Sequence, residues 1–233
     1  MKYNNYGFTK EANSYYDEGL RAYMLSIYQN MSIALGISAL FAYIVGNSAQ
    51  VAMMIFSTPL VYIVMFAPLI HIFLFGRNLM SMNKEKAMLH LGIFAALNGL
   101  SLGSIFLIYT SASIAKTFFI TASTFGAMSL YGYTTKKDLT AAGSFVYMGL
   151  IGLIIASLIN IFLRSAALDF AVSFIGVGIF TILTAYDTQK LKSIYYSMNG
   201  TTARAGSIAV YGALTLYLDF INLFTKRLNR FYS

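Results

Sequence analysis

Along this chain the apolar positions gather into long blocks rather than alternating with polar ones. Seven such runs stand out, at about 22–46, 51–74, 87–109, 113–133, 142–163, 168–187 and 206–226. Each approaches the roughly 20 residues that an α-helix needs to cross about 30 Å of hydrocarbon. A membrane barrel would show period-two alternation over about 10 residues. The stretch IGLIIASLINIFL, Ile151 to Leu163, shows none. Backbone groups in lipid must bond within their own segment, so each run predicts a helix. The expected fold is an all-α membrane protein with seven transmembrane helices. A polar cytoplasmic N-terminal tail (1–21) precedes the seven-helix domain (22–226), and a short basic tail (227–233) follows it. The connections are short, except the one before the seventh run.

Composition agrees with this pattern. The 233 residues are 58% hydrophobic and 10% charged, against about 25% charged in an ordinary soluble domain. Mean hydropathy is +0.67. A soluble protein of this size has too little polar surface to cover so much apolar material. The first 20 residues lack an apolar h-region, so the first span is expected to act as an uncleaved insertion signal. No cysteine is present, which excludes disulfides and cysteine-metal sites.

The net charge of +8 would suggest nucleic acid in a soluble protein. Here the basic residues cluster between spans, so orientation is the better explanation and no nucleic-acid partner is expected. With the N-terminus inside, Lys2, Lys10, Arg21, Arg77, Lys84, Lys86, Lys136, Lys137, Lys190, Lys192 and Arg204 are cytoplasmic, and the outer loops keep Lys116 and Arg164. Lys226, Arg227 and Arg230 then fall outside, against the rule. The seventh run either crosses regardless or folds back, and crossing is the reading adopted.

Several apparent motifs have plainer readings. Gly99-Leu-Ser-Leu-Gly103 fits the G-x-S-x-G hydrolase elbow, but it lies inside an apolar run. Both histidines, His71 and His90, precede it, whereas the elbow needs a later histidine base. The same residues read as G-x-x-x-G, a close-packing spacing repeated by Ala122/Gly126 and Gly152/Ala156. His71 and His90 lie on different spans without metal-site spacing, which suggests hydrogen-bonded interior or interfacial histidines. Arg164 and Asp169 read as a local surface ion pair, and Lys136, Lys137 and Asp138 as a solvated loop. No enzyme activity and no cofactor are expected.

The carboxylates are harder to explain away. In LYLDFINLF, Leu216 to Phe224, Asp219 interrupts an apolar run. A charged Asp at mid-bilayer costs about 2.5–3.5 kcal/mol on insertion scales, so it must face the bundle interior or a wet cavity. Thr215, Asp219, Asn222 and Lys226 recur at steps of 4, 3 and 4, along one helical face. The sixth run ends in TILTAYDTQKLK, where Thr181, Thr184 and Thr188 share a face and Asp187 follows three residues after Thr184. Pairing with Lys190 at i+3 is the plain reading of Asp187.

The segments AYDTQKLK and LTLYLDFINLF, preceded by AMSLYGYTTKKDL, resemble the transmembrane Bax inhibitor motif family (Bax inhibitor-1 family) in its bacterial branch. The resemblance runs from Gly19 onward. It implies a seven-helix bundle with the last helix central, in a bacterial inner membrane, carrying a pH-sensitive calcium leak. It implies that Asp187 and Asp219 form a hydrogen-bonded pH-sensing pair along the ion path and act as weak calcium ligands. Thr184, Thr215 and Asn222 form the supporting polar seam. A gating arginine on the second helix corresponds to Arg77, while an acidic residue found there in some members has no counterpart between Leu60 and Phe75. Some bacterial relatives are associated with a membrane protease. The alternative reading is therefore a non-conducting regulator of membrane proteins, contacted through Met1 to Gly19. Lys226 lies too near the end of the last helix for a retinal-binding protein.

Two carboxyls in a low-dielectric site cannot both ionise cheaply, so they share a proton and titrate as a pair. Losing that proton makes them repel, which would part the last two helices. They are hard oxygen ligands, but calcium takes about 6–8 oxygens, so binding would be weak. Asp219 lies about 20 Å beyond Gly206 along a helix. For the acids to meet, the sixth helix must continue past Asp187, with Lys190 and Lys192 snorkelling to the headgroups.

Overall fold

A computed structural model describes residues 5–198 and 205–232, with side chains for 18–198 and 206–230. Lys2 and Arg204 lie outside the described residues, as do the side chains of the polar tail before Glu18, that of Lys10 included, and those of the basic tail beyond Arg230.

Among the described residues the chain is helical, without strands. Helix α1 spans Asn5–Asn47, α2 Ala49–Phe56 and α3 Leu60–Phe75, which a 3-10 turn, Gly76–Ser81, prolongs. Then come α4 (Lys84–Leu102), the short α5 (Ile105–Ile108), α6 (Ser111–Thr134), α7 (Thr140–Leu163), α8 (Ala166–Ser197) and α9 (Ala205–Tyr232). Short polar side chains start several of them. Ser48, Asn83, Thr110 and Ser165 each accept from a backbone N–H three residues on, satisfying donors that the first helical turn leaves open.

The run 51–74 is not one helix. It breaks at Ser57-Thr58-Pro59, because Pro59 has no N–H to continue the ladder and disfavours helical backbone at Thr58. The Thr58 hydroxyl instead donates to the Met54 carbonyl (2.6 Å). The second span accordingly shifts to Leu60–Ser81.

Among the described residues, six helices are long and apolar enough to cross a membrane: Glu18–Asn47, Leu60–Ser81, Lys84–Ile108, Thr140–Leu163, Ala166–Ser197 and Gly206–Arg230. The run 113–133 does form a helix, α6, of 24 residues. Its serines, threonines and Lys116 leave it less apolar than the other six. Ser123, Thr124 and Thr134 return their hydroxyls to carbonyls four residues back, which removes part of their cost in a dry setting.

The last helix occupies the middle. In α9, 67% of the span is buried, against 6% for α3 and 11% for α7. Outward faces of α3 and α7 carry large exposed apolar side chains, such as Phe73 and Phe162, as a surface solvated by acyl chains should. Around α9 pack α8, α1, α6 and α4. Tyr217 is fully buried on α9, and its hydroxyl meets Ser38 of α1 (2.7 Å). Ser38 also donates to the Ala95 carbonyl of α4 (2.7 Å), so one hydroxyl node ties three helices. Buried aromatic hydroxyls need such partners.

The small-residue spacings divide. A side chain at Gly99 would strike the Ser38 backbone, and one at Gly103 would strike Val45, so this pair is where α4 closes on α1. Gly126 and Gly152 differ from that expectation: a Cβ at either meets nothing within 4 Å. The spacing alone does not say which helix faces are paired. The closest approach involves another glycine. On α6, Gly132 lies against the backbone of Ala185 on α8, and no side chain fits between them.

The loop at Lys136 to Asp138 is exposed but anchored. Gln189 of α8 accepts from Leu139 N (2.9 Å) and donates to the Lys137 carbonyl (2.8 Å). Asp138 accepts from the Thr140 hydroxyl and backbone N–H, and these bonds hold its carboxyl below the usual range. Asp169 lies within electrostatic reach of Tyr109 and Lys226. His71 Nε2 meets the His90 carbonyl (3.2 Å), as expected of a hydrogen-bonded histidine, whereas the buried Nδ1 of His90 has no hydrogen-bond partner among the described residues.

Gly132→Val should overpack the α6–α8 contact and cost about 1–3 kcal/mol, whereas Gly126→Ala should change stability by less than about 0.5 kcal/mol. Thermal unfolding of the purified variants in detergent checks this. Equal melting shifts for the two would mean that α6 and α8 do not meet at Gly132.

Candidate functional site

Helix α8 does not stop at Asp187 but runs ten residues further, to Ser197. This extension carries Asp187 into the protein interior and leaves Lys190 exposed beyond it. Tyr186 contributes on the α7 side. A side chain at Gly143 would collide with the Tyr186 ring, so glycine lets α7 lie close beside α8.

Asp187 is 3% exposed and Asp219 5%, and the two carboxyls lie within hydrogen-bonding reach of each other across the α8–α9 contact. Ionised carboxylates only accept. A bond between two of them therefore requires a proton on one. Asp187 has two further neighbours. The Tyr147 hydroxyl of α7 donates to its Oδ1 (3.3 Å), and the Lys190 ammonium acts on it through space. Asp219 is more isolated: its buried Oδ2 has no protein hydrogen-bond partner. Such a group calls for a proton, a water or a cation.

Both acids line a cavity of about 970 Å³. Helices α3 and α7 form its sides, and α8 and α9 its floor. Thr215, Asp219, Asn222 and Lys226, placed on one face by their spacing, all line it, together with Tyr211. From Tyr211 to Lys226 this polar seam is about 22 Å long. Thr215 and Asn222 turn their side chains to the Tyr211 and Leu218 carbonyls, which leaves the Thr215 oxygen and the Asn222 amide oxygen as possible acceptors. Arg77, on the 3-10 turn after α3, is exposed and lines the same cavity.

Thr184 does not join this seam. It is fully buried and donates to the Phe180 carbonyl. The 184/188 edge of α8 turns toward α6, where Thr188 meets Ser129 (2.9 Å). Tyr147 and Tyr211 are the site residues that sequence reasoning missed. Tyr147 carried a signal, because it is the one tyrosine in the 142–163 run and lies a full turn inside it, deeper than a headgroup-level position.

No group of three or more His, Cys, Asp or Glu exists among the described residues. The oxygen set around the acids is two carboxyls, the Tyr147 and Thr215 hydroxyls and the Asn222 amide oxygen. It suits a hard cation held loosely, with most of its shell supplied by water.

These features define a polytopic helical membrane protein with a paired-acid cleft on its central helix. The chain belongs to the Bax inhibitor-1 family: the family model "Inhibitor of apoptosis-promoting Bax1" matches residues 20–232. It is 49% identical over 220 residues to protein RP147 of Rickettsia prowazekii, covering 93% of this chain and 91% of that one. It is 45% identical over 224 residues to a Caulobacter vibrioides protein, covering 92% and 90%. To the inner membrane protein YbhL of Escherichia coli K12 it is 44% identical over 215 residues, covering 91% and 92%.

The acid contact can be checked in a chain that has no cysteine. In an Asp187→Cys, Asp219→Cys double variant, Cd²⁺ should bridge the thiols and protect them from maleimide. A Thr184→Cys, Asp219→Cys pair should gain no protection, because residue 184 faces α6. Equal protection of both pairs would contradict the geometry.

Proposed function

We propose that the protein is a pH-gated cation leak, with calcium as the transported ion, in a bacterial inner membrane. One observation carries the reading: two buried carboxyls, facing each other across the central helix contact, open onto a polar-seamed cleft. The inner-membrane location follows the name of the Escherichia coli relative. The family's implied activity supports the choice of ion. In this reading α6 also crosses, which gives seven spans, and the N-terminus is cytoplasmic. That orientation puts the basic side chains around Arg77, Lys136 and Lys192 at the inner surface.

The gate works through one proton. While the proton lies between Asp187 and Asp219, the carboxyls bond and hold α8 against α9. Raising the pH removes it. Two full charges about 4 Å apart repel by about 4 kcal/mol at an effective dielectric of about 20. That is comparable to the few kcal/mol separating alternative packings of a bundle. Flux therefore rises with pH and falls as the pair is reprotonated. Once ionised, the acids offer hard oxygens to a cation moving along the Thr215–Asn222 seam. Two carboxylates are too few to trap it, and weak binding is what conduction needs. The Tyr147 hydroxyl donates to Asp187 and favours its charged form. Arg77, beside the same cleft, is the cation placed to compensate an ionised acid when the helices shift.

Calcium flux into proteoliposomes, stepped in pH, tests the proposal. Wild type should change its rate at least about tenfold across the transition. In Asp219→Asn the amide donates without needing a proton, so flux should stay within about twofold at every pH. Unchanged flux and an unchanged pH response in this variant would defeat the proposal. Tyr147→Phe should keep the response but move its midpoint to higher pH by up to about one unit. A shift to lower pH would contradict the role given to the hydroxyl.

A further inference from the structure

A second cavity, of about 460 Å³, lies between α1 and α6, away from the acid cleft. Its size is that of a small-molecule pocket, and its walls are almost wholly apolar. Gly126 contributes a wall with no Cβ, and a Cβ there would enter open space. Leu25 and Leu130 line it while remaining exposed on the outer surface of the bundle, so the groove is reached from the side, where acyl chains lie.

One end is cationic. Arg21, exposed near the start of the first span, lines the groove there, opposite Tyr133. Lys192 of α8 donates to the Tyr133 carbonyl (3.0 Å) and stands over the Tyr133 ring. Glu18, three residues before Arg21, does not line the groove. Deeper inside, the Tyr28 hydroxyl meets Ser129 (2.6 Å), and Ser129 meets Thr188 (2.9 Å). These hydroxyls satisfy one another and leave the groove's interior apolar. From Arg21 to Tyr28 the groove is about 10 Å deep.

An apolar slot opening sideways, with Arg21 and Tyr133 at its membrane-surface end and Lys192 held against Tyr133, matches one ligand chemistry. We infer that this groove binds an anionic phospholipid, its phosphate at Arg21 and Lys192 and the upper part of one acyl chain beside Gly126. A soluble anion would gain nothing from the apolar slot, and a zwitterionic lipid little from the paired cations. The charged end belongs to the ends of α1, α6 and α8 that share one face of the bundle, so the lipid comes from that leaflet. Because Thr188 adjoins Asp187, an occupied groove also braces α8 from the side opposite the acid cleft.

The protein contains no tryptophan, so a Leu130→Trp variant of the full chain gives a single reporter at the groove mouth. It is reconstituted in phosphatidylcholine vesicles that contain a minor fraction of brominated phosphatidylglycerol or, separately, brominated phosphatidylcholine. Brominated phosphatidylglycerol should quench at several-fold lower mole fraction. Arg21→Gln should reduce that preference about fivefold, one cation's share. Gly126→Leu, whose Cβ enters open space and whose side chain occupies the slot, should abolish it. Equal quenching by both lipids overturns the inference, as does a preference that survives either substitution. Circular dichroism and thermal unfolding of the two variants establish that a lost preference is not a lost fold.

Discussion

Two carboxyls pressed together inside a helix bundle can bond only while a proton lies between them. The surrounding structure serves that contact. Asp219 reaches the interior because α9 is the central helix, and Asp187 reaches it because α8 continues ten residues past the acid. Gly132 lets α6 touch the α8 backbone beside Ala185, and Gly143 lets α7 seat against Tyr186. Both neighbours close on α8 within one turn of Asp187. The pair is thus held by packing on three sides, and its fourth side is the cleft.

That asymmetry gives the site its character. Helix α9 is locked elsewhere by the Tyr217–Ser38–Ala95 node, which joins it to α1 and α4. Helix α3, by contrast, is the least buried span, and it forms one wall of the cleft. A change in charge at the acids therefore acts between a fixed floor and a weakly held wall. On the far side of α8, the Tyr28–Ser129–Thr188 chain connects the same helix to the lipid-facing groove. Helix α8 thus touches both regions.

Much of this was legible in the sequence. The long apolar runs predicted the helices, and the 4, 3, 4 spacing of Thr215, Asp219, Asn222 and Lys226 placed these residues on one face. All four line the cleft. The need for Asp187 to meet Asp219 predicted the extension of the sixth run, since 20 Å of depth had to be matched. Other features were not legible, for physical reasons. Pro59 divides the second run, and hydropathy alone does not register a missing N–H. The polarity of α6 obscures its membership among the spans because its hydroxyls bond internally. Thr184 shares a helix with Asp187, yet it turns toward α6, and a partner's position is a tertiary fact that spacing cannot carry. Gly126 and Gly99 sit in the same kind of motif, but only Gly99 faces another backbone. Tyr147 was passed over among many tyrosines, although its depth set it apart.

The proposed shared proton can be sought directly. Isotope-edited infrared titration of aspartate carboxyls in the reconstituted protein distinguishes a protonated, hydrogen-bonded carboxyl from ionised ones. The proposal predicts one such carboxyl shared by the two acids, lost as pH rises through the gating range, and no such band in that range for either Asp187→Asn or Asp219→Asn, where the amide takes over as donor. Two aspartates that each titrate independently, as free side chains in water do, would contradict it.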